Sequence, residues 1–205
     1  MRDPNPPRWF MAGHSTSRPQ ELAESLDIGH ITLLDVENSS VQELELDSCD
    51  AFILVISAKT GVSSTMIDLW SRIAERQIPR MIIVNGLELS EIDFDDIVLI
   101  ANRVLENVIT PYLVLHDELG EPSGLISLTN NVVHDYSGDS VKSYPADDEL
   151  QGLVSEFREE LILAQSEMDD SAFAQGLLVP AIPFITSKKI GKTEIEAYAK
   201  LLTTH

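Results

Sequence analysis

Three aspartates, Asp93, Asp95 and Asp96, are spaced closely enough for two of their carboxylates to act together as a general acid and a general base. They lie at the start of a segment with helical spacing of its apolar residues, 94–108. Acidic side chains at such a position cap a helix and complement its dipole. We therefore interpret this cluster as a helix start and not as a catalytic pair.

Two short groups could contribute ligands to a metal ion, the run His116, Asp117, Glu118 and the pair His134, Asp135. Neither group has a second histidine at the i,i+4 spacing of a helical metal site, and both fall in strand or loop patterns. The lone cysteine excludes an internal disulfide, and no Gly-x-Ser-x-Gly elbow or Cys/His nucleophile arrangement stands out. The sequence predicts no metal site and no catalytic residue.

Five apolar runs along the chain are candidates for the strands that would position a site. Because the runs are continuous and do not alternate with polar residues, they are typical of strands covered on both faces, as in parallel sheets. The last run contains two prolines, which favours an edge or irregular strand. The runs are residues 9–12, 30–36, 51–58, 80–85 and 179–186.

Helical patterns separate most of these runs, at 19–26, 63–77, 94–108 and 191–202. This alternation predicts an α/β fold with a mainly parallel sheet. Residues 111–150 interrupt this alternation of strand and helix patterns, because they contain short strand-like pieces divided by glycine and proline. An acidic helix follows at 147–166. We predict a core formed by residues 1–110 and 176–205, interrupted by a small α+β insert at 111–175.

The order of these segments resembles the GTP-binding domain of the elongation factor G family of translational GTPases. The likeness rests first on the second apolar run, read from Ile31, and on the Asp35 that it contains. It rests also on the stretch from Asp50 to Val62 (DAFILVISAKTGV), on the stretch from Ile78 to Asn85 (IPRMIIVN), and on the insert with its acidic helix. It covers about residues 9–202. The resemblance implies a P-loop NTPase-like three-layer fold with an elongation factor G-type insert.

The phosphate-binding loop implied by this resemblance begins with Gly13 and His14, and both match the family's pattern. Where the family has a second glycine, a lysine and a hydroxyl residue, this chain has Arg18, Pro19 and Gln20. Proline removes a backbone N–H and restricts the backbone that a phosphate cradle needs. Arg18 could supply a positive charge, but from a side chain where the backbone should be bare. We predict that this loop does not hold a triphosphate.

The magnesium-side motif keeps Asp35, whereas Asn38 and Ser39 replace its glycine and its water-orienting histidine. Residues 21–30 must also span the region in which the family places a helix, its first switch segment and another strand. Ten residues allow only about two or three helical turns. We therefore expect the switch to be missing.

The guanine-reading motif becomes Asn85-Gly86-Leu87-Glu88, and the last nucleotide loop corresponds to residues around Ser187. Glu88 keeps two acceptor oxygens on a longer stem, and Gly86 offers no side chain to stack on a base. Hydrogen-bonding sites lose several kcal/mol when partners are misplaced. The resemblance leaves Gly13, His14, Asp35, Asn85, Glu88 and Ser187 as residual nucleotide-binding candidates.

The net charge of −20 is concentrated between Gly86 and Asp170, where twenty acidic residues meet three basic ones. Such a field repels phosphate backbones, so we expect no direct nucleic-acid binding by this half. It is either a solvated surface or a docking face for a basic protein. No apolar stretch reaches the roughly 18 residues that cross a bilayer, and the N-terminus lacks an apolar signal core, so we expect a cytoplasmic protein without membrane contact.

We interpret the chain as a pseudo-GTPase that acts as a protein-interaction or regulatory module, does not hydrolyse GTP and needs no cofactor. The resemblance implies the ribosome or a ribosomal stalk protein as partner. Under a second hypothesis the chain binds GTP or GDP and Mg²⁺ weakly through Asp35, Asn85 and Glu88. Under a third, it is a remnant or fragment whose partner supplies the missing parts.

Overall fold

The computed structural model describes residues 6–37, 46–89, 92–166, 168–169 and 171–203. The strands are β1 (Trp9–Gly13), β2 (Ile31–Leu34), β3 (Ala51–Ser57), β4 (Arg80–Asn85), β5 (Tyr112–His116), β6 (Pro122–Ser127), β7 (Val132–Asp135), β8 (Lys142–Pro145) and β9 (Ala181–Phe184). The helices are α1 (Pro19–Ser25), α2 (Ser64–Glu75), α3 (Phe94–Val104), α4 (Asp148–Leu153), α5 (Ser155–Gln165) and α6 (Lys192–Leu201).

A five-stranded sheet forms the core, in the order β2-β1-β3-β4-β9. All four strand pairs are parallel, as the continuous apolar runs predict. The proline-containing strand β9 lies at an edge, where a missing backbone donor costs least. The predicted α/β class with a mainly parallel sheet is confirmed.

Alternate residues of the central strands face two separate apolar clusters. Met11 and Ile53 pack with residues of α1 and α6 on one face, whereas Phe10 and Leu54 pack with α2 and α3 on the other. Both faces of the sheet are therefore covered by helices, which explains why its strands are apolar throughout. The sheet and the helices on its two faces form three layers. The more specific P-loop NTPase-like fold that the resemblance implies stays a prediction.

The connection from β1 to β2 is short and lies wholly within the described segment 6–37. It consists of a single 3₁₀ turn, α1 and a five-residue link, and β2 pairs directly with β1 in parallel. Within residues 21–30 the structure has no strand. The absence of the family's switch segment stays a prediction.

A second, antiparallel sheet has the order β5-β6-β7-β8 and lies within the stretch where the sequence predicts a meander. The fourth strand, β8, was not predicted, because all four of its residues are exposed and carry no apolar pattern. The apolar cluster that includes Met11 also includes Ile126 and Leu161, so the core is continuous between the two sheets. The division at 111 and 175 into two units stays a prediction.

The acidic segment 147–166 does not form one helix as predicted. It forms α4 and α5, separated at Val154, whose backbone leaves the helical region with φ −98° and ψ 4°. Val154 is buried, and the residue two positions before it, Gly152, is a poor helix former. The break lets Val154 reach the core, while α5 buries only Leu161 among its side chains.

Contacts from the second sheet reach the last helix of the core. The Tyr136 hydroxyl donates a hydrogen bond to Glu194 Oε2 at 2.6 Å, and His134 Nδ1 lies 2.8 Å from Glu194 Oε1. The side chain of Glu194 is fully buried. A buried carboxylate needs such partners, so this cluster fastens β7 and the residue after it to α6.

Candidate functional site

The residues that could hold a ligand lie at the carboxyl edge of the parallel sheet, where open α/β folds bind their ligands. Gly13 and Asn85 end β1 and β4, Asp35 follows β2, and Thr186 follows β9. The chain leaves the sheet here in short turns, and these turns determine what the edge can bind.

The loop after β1 is a closed 3₁₀ turn over Ser15–Ser17. The Ser17 N–H donates to the His14 carbonyl at 2.8 Å, and the Arg18 N–H donates to the Ser15 carbonyl at 3.1 Å. The Thr16 N–H donates to His14 Nδ1 at 3.2 Å, so the imidazole caps the turn. The N–H groups of residues 16–18 are thus already used within the loop.

The remaining N–H of the turn, that of Ser15, donates to the carboxylate of Glu37. This hydrogen bond is the main reason that the pKa of Glu37 is below its ordinary value of 4.5, with a smaller contribution from the nearby His14. His14 Nε2 lies 3.5 Å from Glu37 Oε1. The Glu37 carboxylate therefore accepts the Ser15 N–H in the loop to which the resemblance assigns phosphate binding.

Arg18 does not place its charge inside the loop. Its guanidinium points towards α1, with Nη1 3.4 Å from Glu21 Oε2, and its side chain is 47% exposed. Its backbone is left-handed, with φ 51°, a conformation that glycine adopts at less cost. Pro19 then begins α1 at the first helical position, where its missing N–H is not needed.

Gly13 is required by close packing. A Cβ atom there would lie 2.6 Å from Ser17 Oγ and 2.7 Å from the Val55 carbonyl oxygen. Ser17 itself is fully buried, and its hydroxyl donates to the His14 carbonyl at 2.7 Å. Glycine at position 13 thus leaves space for the buried Ser17 hydroxyl. This packing explains the glycine without any ligand.

Asn85 connects three segments of the edge. Its side-chain amide donates to the Ser17 carbonyl at 2.9 Å, and its Oδ1 accepts from the Gly86 N–H at 2.8 Å and from the Thr186 hydroxyl at 3.1 Å. The side chain is buried. Asn85 therefore holds the loop after β1 and the turn after β9 against the end of β4.

Two further candidates lie near this edge, Asp35 and Ser187. Asp35 Oδ1 accepts the Glu37 N–H at 3.0 Å, which positions Glu37 for its contact with the loop. Ser187 is exposed in the turn between Ile185 and Ile190. The replaced motif positions Asn38 and Ser39 lie outside the described residues.

Glu88 faces a different space. It lies in a short 3₁₀ turn, Leu87–Leu89, and lines a cavity that also includes residues of β5 and β6, such as Leu113 and Pro122. The structure therefore brings His14 and Asn85 together through the turn and separates Glu88 from them.

Sequence reasoning missed three contributors to this edge: Ser17, Glu37 and Thr60. The Thr60 hydroxyl lies 2.9 Å from that of Thr16. Glu37 contacts a residue 22 positions earlier, and no local pattern marks such a pair. The sequence signals the closed turn only through its three successive hydroxyl residues, 15–17, which follow the glycine that ends β1.

Among the described residues, no cluster of three or more His, Cys, Asp or Glu side chains could hold a metal ion. Burial raises the pKa of the Cys49 thiol to about 12, which leaves it protonated and unreactive near neutral pH. Of the helices described, none has both the length and the apolar character needed to cross a membrane.

No family model matches the chain. In sequence it is similar to "Ribosome-releasing factor 2, mitochondrial" of Anopheles gambiae, with 28% identity over an alignment of 156 residues, which covers 73% of this chain. In fold it is similar to a crystal structure of a protein from Thermus thermophilus, with a TM-score of 0.76 and 18% identity over 98% of this chain.

The chain spans about a fifth of the ribosome-releasing factor and about two fifths of the Thermus protein. The similarity to the factor supports a distant relation to translational GTPases. At 18% identity, the second similarity concerns the fold alone. What either whole protein does is therefore not transferred to this chain by these comparisons.

Proposed function

We propose that this chain is a pseudo-GTPase, a protein-interaction module that has kept the fold of a translational GTPase domain without its ability to bind GTP. The observation that carries the proposal is the closed turn at residues 14–18. Each N–H from Ser15 to Arg18 already has an acceptor, and one of these acceptors is the carboxylate of Glu37. A phosphate cradle needs these donors to be free.

A triphosphate does not fit these residues. It would have to displace Glu37 from the Ser15 N–H, reopen the 3₁₀ turn and bring its own charge next to Asp35 and Glu37. Pro19 supplies no N–H in exchange, and Gln20 lies where the related pattern has a hydroxyl for Mg²⁺. The retained Asn85 is explained by its bonds to Ser17, Gly86 and Thr186 without a nucleotide.

The partner that we propose is the ribosome or a ribosomal stalk protein. The similarity to a protein named as a ribosome-releasing factor supports this choice. The charge of −17 between Gly86 and Asp170 supports a basic protein surface as the contact, because like charges would repel rRNA.

Thermal unfolding with and without millimolar GTP and Mg²⁺ tests the proposal. We expect no stabilisation, whereas a ligand at a hundred times its dissociation constant would add about 2.7 kcal/mol to the free energy of unfolding. Cosedimentation with ribosomes should be the same with and without GTP. A clear upward shift in melting temperature would favour the weak GTP-binding alternative.

A variant that restores the three replaced positions sharpens this test. This variant combines three substitutions. Arg18→Gly places a flexible residue at the position with φ 51°, Pro19→Lys restores a cation, and Gln20→Thr restores a hydroxyl. We expect partial gain of GTP stabilisation when Glu37→Gln is added, because the competing anion is then removed. Glu21→Gln, a charge change on α1, is the matched control and should gain none. Stabilisation of the unaltered protein equal to that of the restored one would contradict the proposal.

A further inference from the structure

A cavity of about 540 Å³ lies between the segment that follows β4 and the second sheet. Leu87, Glu88 and the start of α3 form one wall, and β5, the tip between β5 and β6, and Phe157 of α5 form the other. None of the residues at the closed turn lines it. The cavity is therefore separate from the candidate nucleotide edge.

The polar lining of the cavity is acidic. Among the described residues that line it there are four carboxylates, Glu88, Asp93, Asp95 and Glu121, together with one imidazole and no lysine or arginine. Lys188 is near, but its ammonium donates to the Pro122 carbonyl at 2.7 Å. The cavity thus concentrates negative charge within a stretch that is already acidic.

Two of these carboxylates have surroundings that disfavour their negative charge. Among the described residues, Glu88 Oε2 is a buried oxygen without a hydrogen-bond partner. Burial raises the pKa of Asp95, and the neighbouring charges of Asp93 and Asp96 raise it further. Asp95 is exposed, but Glu88 Oε2 is buried, and a buried carboxylate oxygen is stabilised by a charge-assisted donor. The cavity therefore favours a cationic occupant.

The rest of the lining is apolar and shapes the occupant further. Phe94, Leu113, Val114 and Phe157 surround the acidic groups, and the Phe157 side chain is partly exposed. Lysine and arginine combine an aliphatic stem with a cationic end, and they bury the stem along apolar surface. A hydrated metal ion would gain nothing from these walls, and a nucleotide would be repelled by the carboxylates.

We propose that this cavity is a docking site that accepts a lysine or arginine side chain from a basic segment of a partner protein. Glu88 binds the cationic end, and Phe157 and Leu113 contact the stem. This inference rests on the proposed interaction role of the chain, but it does not depend on whether GTP binds. It assigns to Glu88 a role other than reading guanine.

Fluorescence anisotropy with a dye-labelled peptide of four alternating Lys-Ala pairs tests the proposal, at about 150 mM salt to screen distant charges. We expect Glu88→Gln to weaken binding at least about fivefold. The matched control Glu149→Gln removes the same charge from the same acidic stretch outside the cavity, and it should change binding less than about twofold. A peptide of alternating Glu-Ala pairs should not bind.

A second pair of variants tests the apolar wall. Phe157→Ser, in the cavity, should weaken binding severalfold, whereas Leu153→Ser, at a side chain that is 71% exposed and outside it, should not. Equal losses for Glu88→Gln and Glu149→Gln would mean that the overall field alone attracts the peptide, and would overturn the site. Tighter binding of an RNA oligonucleotide than of the Lys-Ala peptide would also overturn it. GTP stabilisation of the unaltered protein would refute the proposed function and leave this result standing.

Discussion

Glu37 has the clearest individual effect on the candidate site. Its carboxylate accepts the Ser15 N–H and lies near the His14 imidazole, so the loop after β1 is closed by an anion that belongs to the chain. Asn85, at the end of β4, also holds this loop, because its side-chain amide donates a hydrogen bond to the Ser17 carbonyl. Two side chains thus keep the turn closed.

The stabilisation that Glu37 provides should depend on pH. Its pKa in the folded protein is lower than its ordinary value of 4.5, chiefly because of the Ser15 hydrogen bond. A carboxylate of this kind stabilises the fold above its unfolded pKa, and the effect is lost as the pH falls through the folded pKa. We expect Glu37→Gln to be less stable than the unaltered protein at pH 7, and we expect this difference in the free energy of unfolding to shrink as the pH falls below 4.5.

Urea unfolding of both proteins between neutral pH and about pH 3 measures this difference. Glu24→Gln, a change at an exposed carboxylate of α1, is the control. A difference between the Glu37→Gln and unaltered proteins that is constant across the window would show that the Glu37 charge does not matter.

At the scale of elements, the buried ion pair between β4 and the segment after α3 is the most consequential contact. Arg80 binds Glu106 through Nε and Nη2, each at 2.7 Å, and also donates to the Gly176 carbonyl at 3.0 Å. The Trp70 indole of α2 donates to Glu106 at 2.8 Å. Helix α2, strand β4 and the segment after α3 meet at one carboxylate.

Glu106→Gln should therefore reduce the free energy of unfolding by about 2 kcal/mol. The cost is below that of a fully enclosed pair because the Glu106 side chain is 30% exposed, whereas Arg80 is 5% exposed and loses its counter-charge. Chemical denaturation followed by Trp70 fluorescence reports the change. Glu75→Gln, on the exposed face of α2, should cost less than about 0.5 kcal/mol, and equal effects would mean that the pair contributes nothing.

The elements that sequence reasoning predicted are those with a strong local pattern. Continuous apolar runs located β3 and β4, and helical spacing located α2 because its buried residues recur on one face. The exposed strand β8 and the break at Val154 have no such pattern and depend on contacts with the rest of the chain. The closed turn at the site was not predictable in detail, because its anion comes from Glu37.

At the scale of the whole molecule, the two sheets are connected through Glu194. Its buried carboxylate contacts Tyr136 and His134, and burial together with the Glu194 charge raises the pKa of Tyr136. Tyr112 lies in the same region, and burial and the Glu194 charge raise its pKa to about 12. The second sheet is thus fastened to the core by a cluster that excludes water.

Glu194→Ala should destabilise the protein by about 3 kcal/mol, because it leaves the buried Tyr136 hydroxyl without its acceptor and removes the carboxylate that lies beside the His134 imidazole. It should also lower the pKa of Tyr136, which absorbance titration of tyrosinate detects. Glu149→Ala, at an exposed position of α4, is the control for both measurements. An unchanged free energy of unfolding would show that the cluster does not fasten the second sheet.

The pairing of β4 with β9 has a consequence for how quickly the molecule assembles. Ile82 pairs with Ala181, about a hundred residues later, and the entire second sheet lies between them. Closing so long a loop costs chain entropy before the pairing contributes any stability, so the edge of β4 stays unsatisfied late in folding. Before β9 pairs with β4, that apolar edge is open to pairing with another copy. We therefore expect slow refolding, and aggregation at high concentration, from this topology.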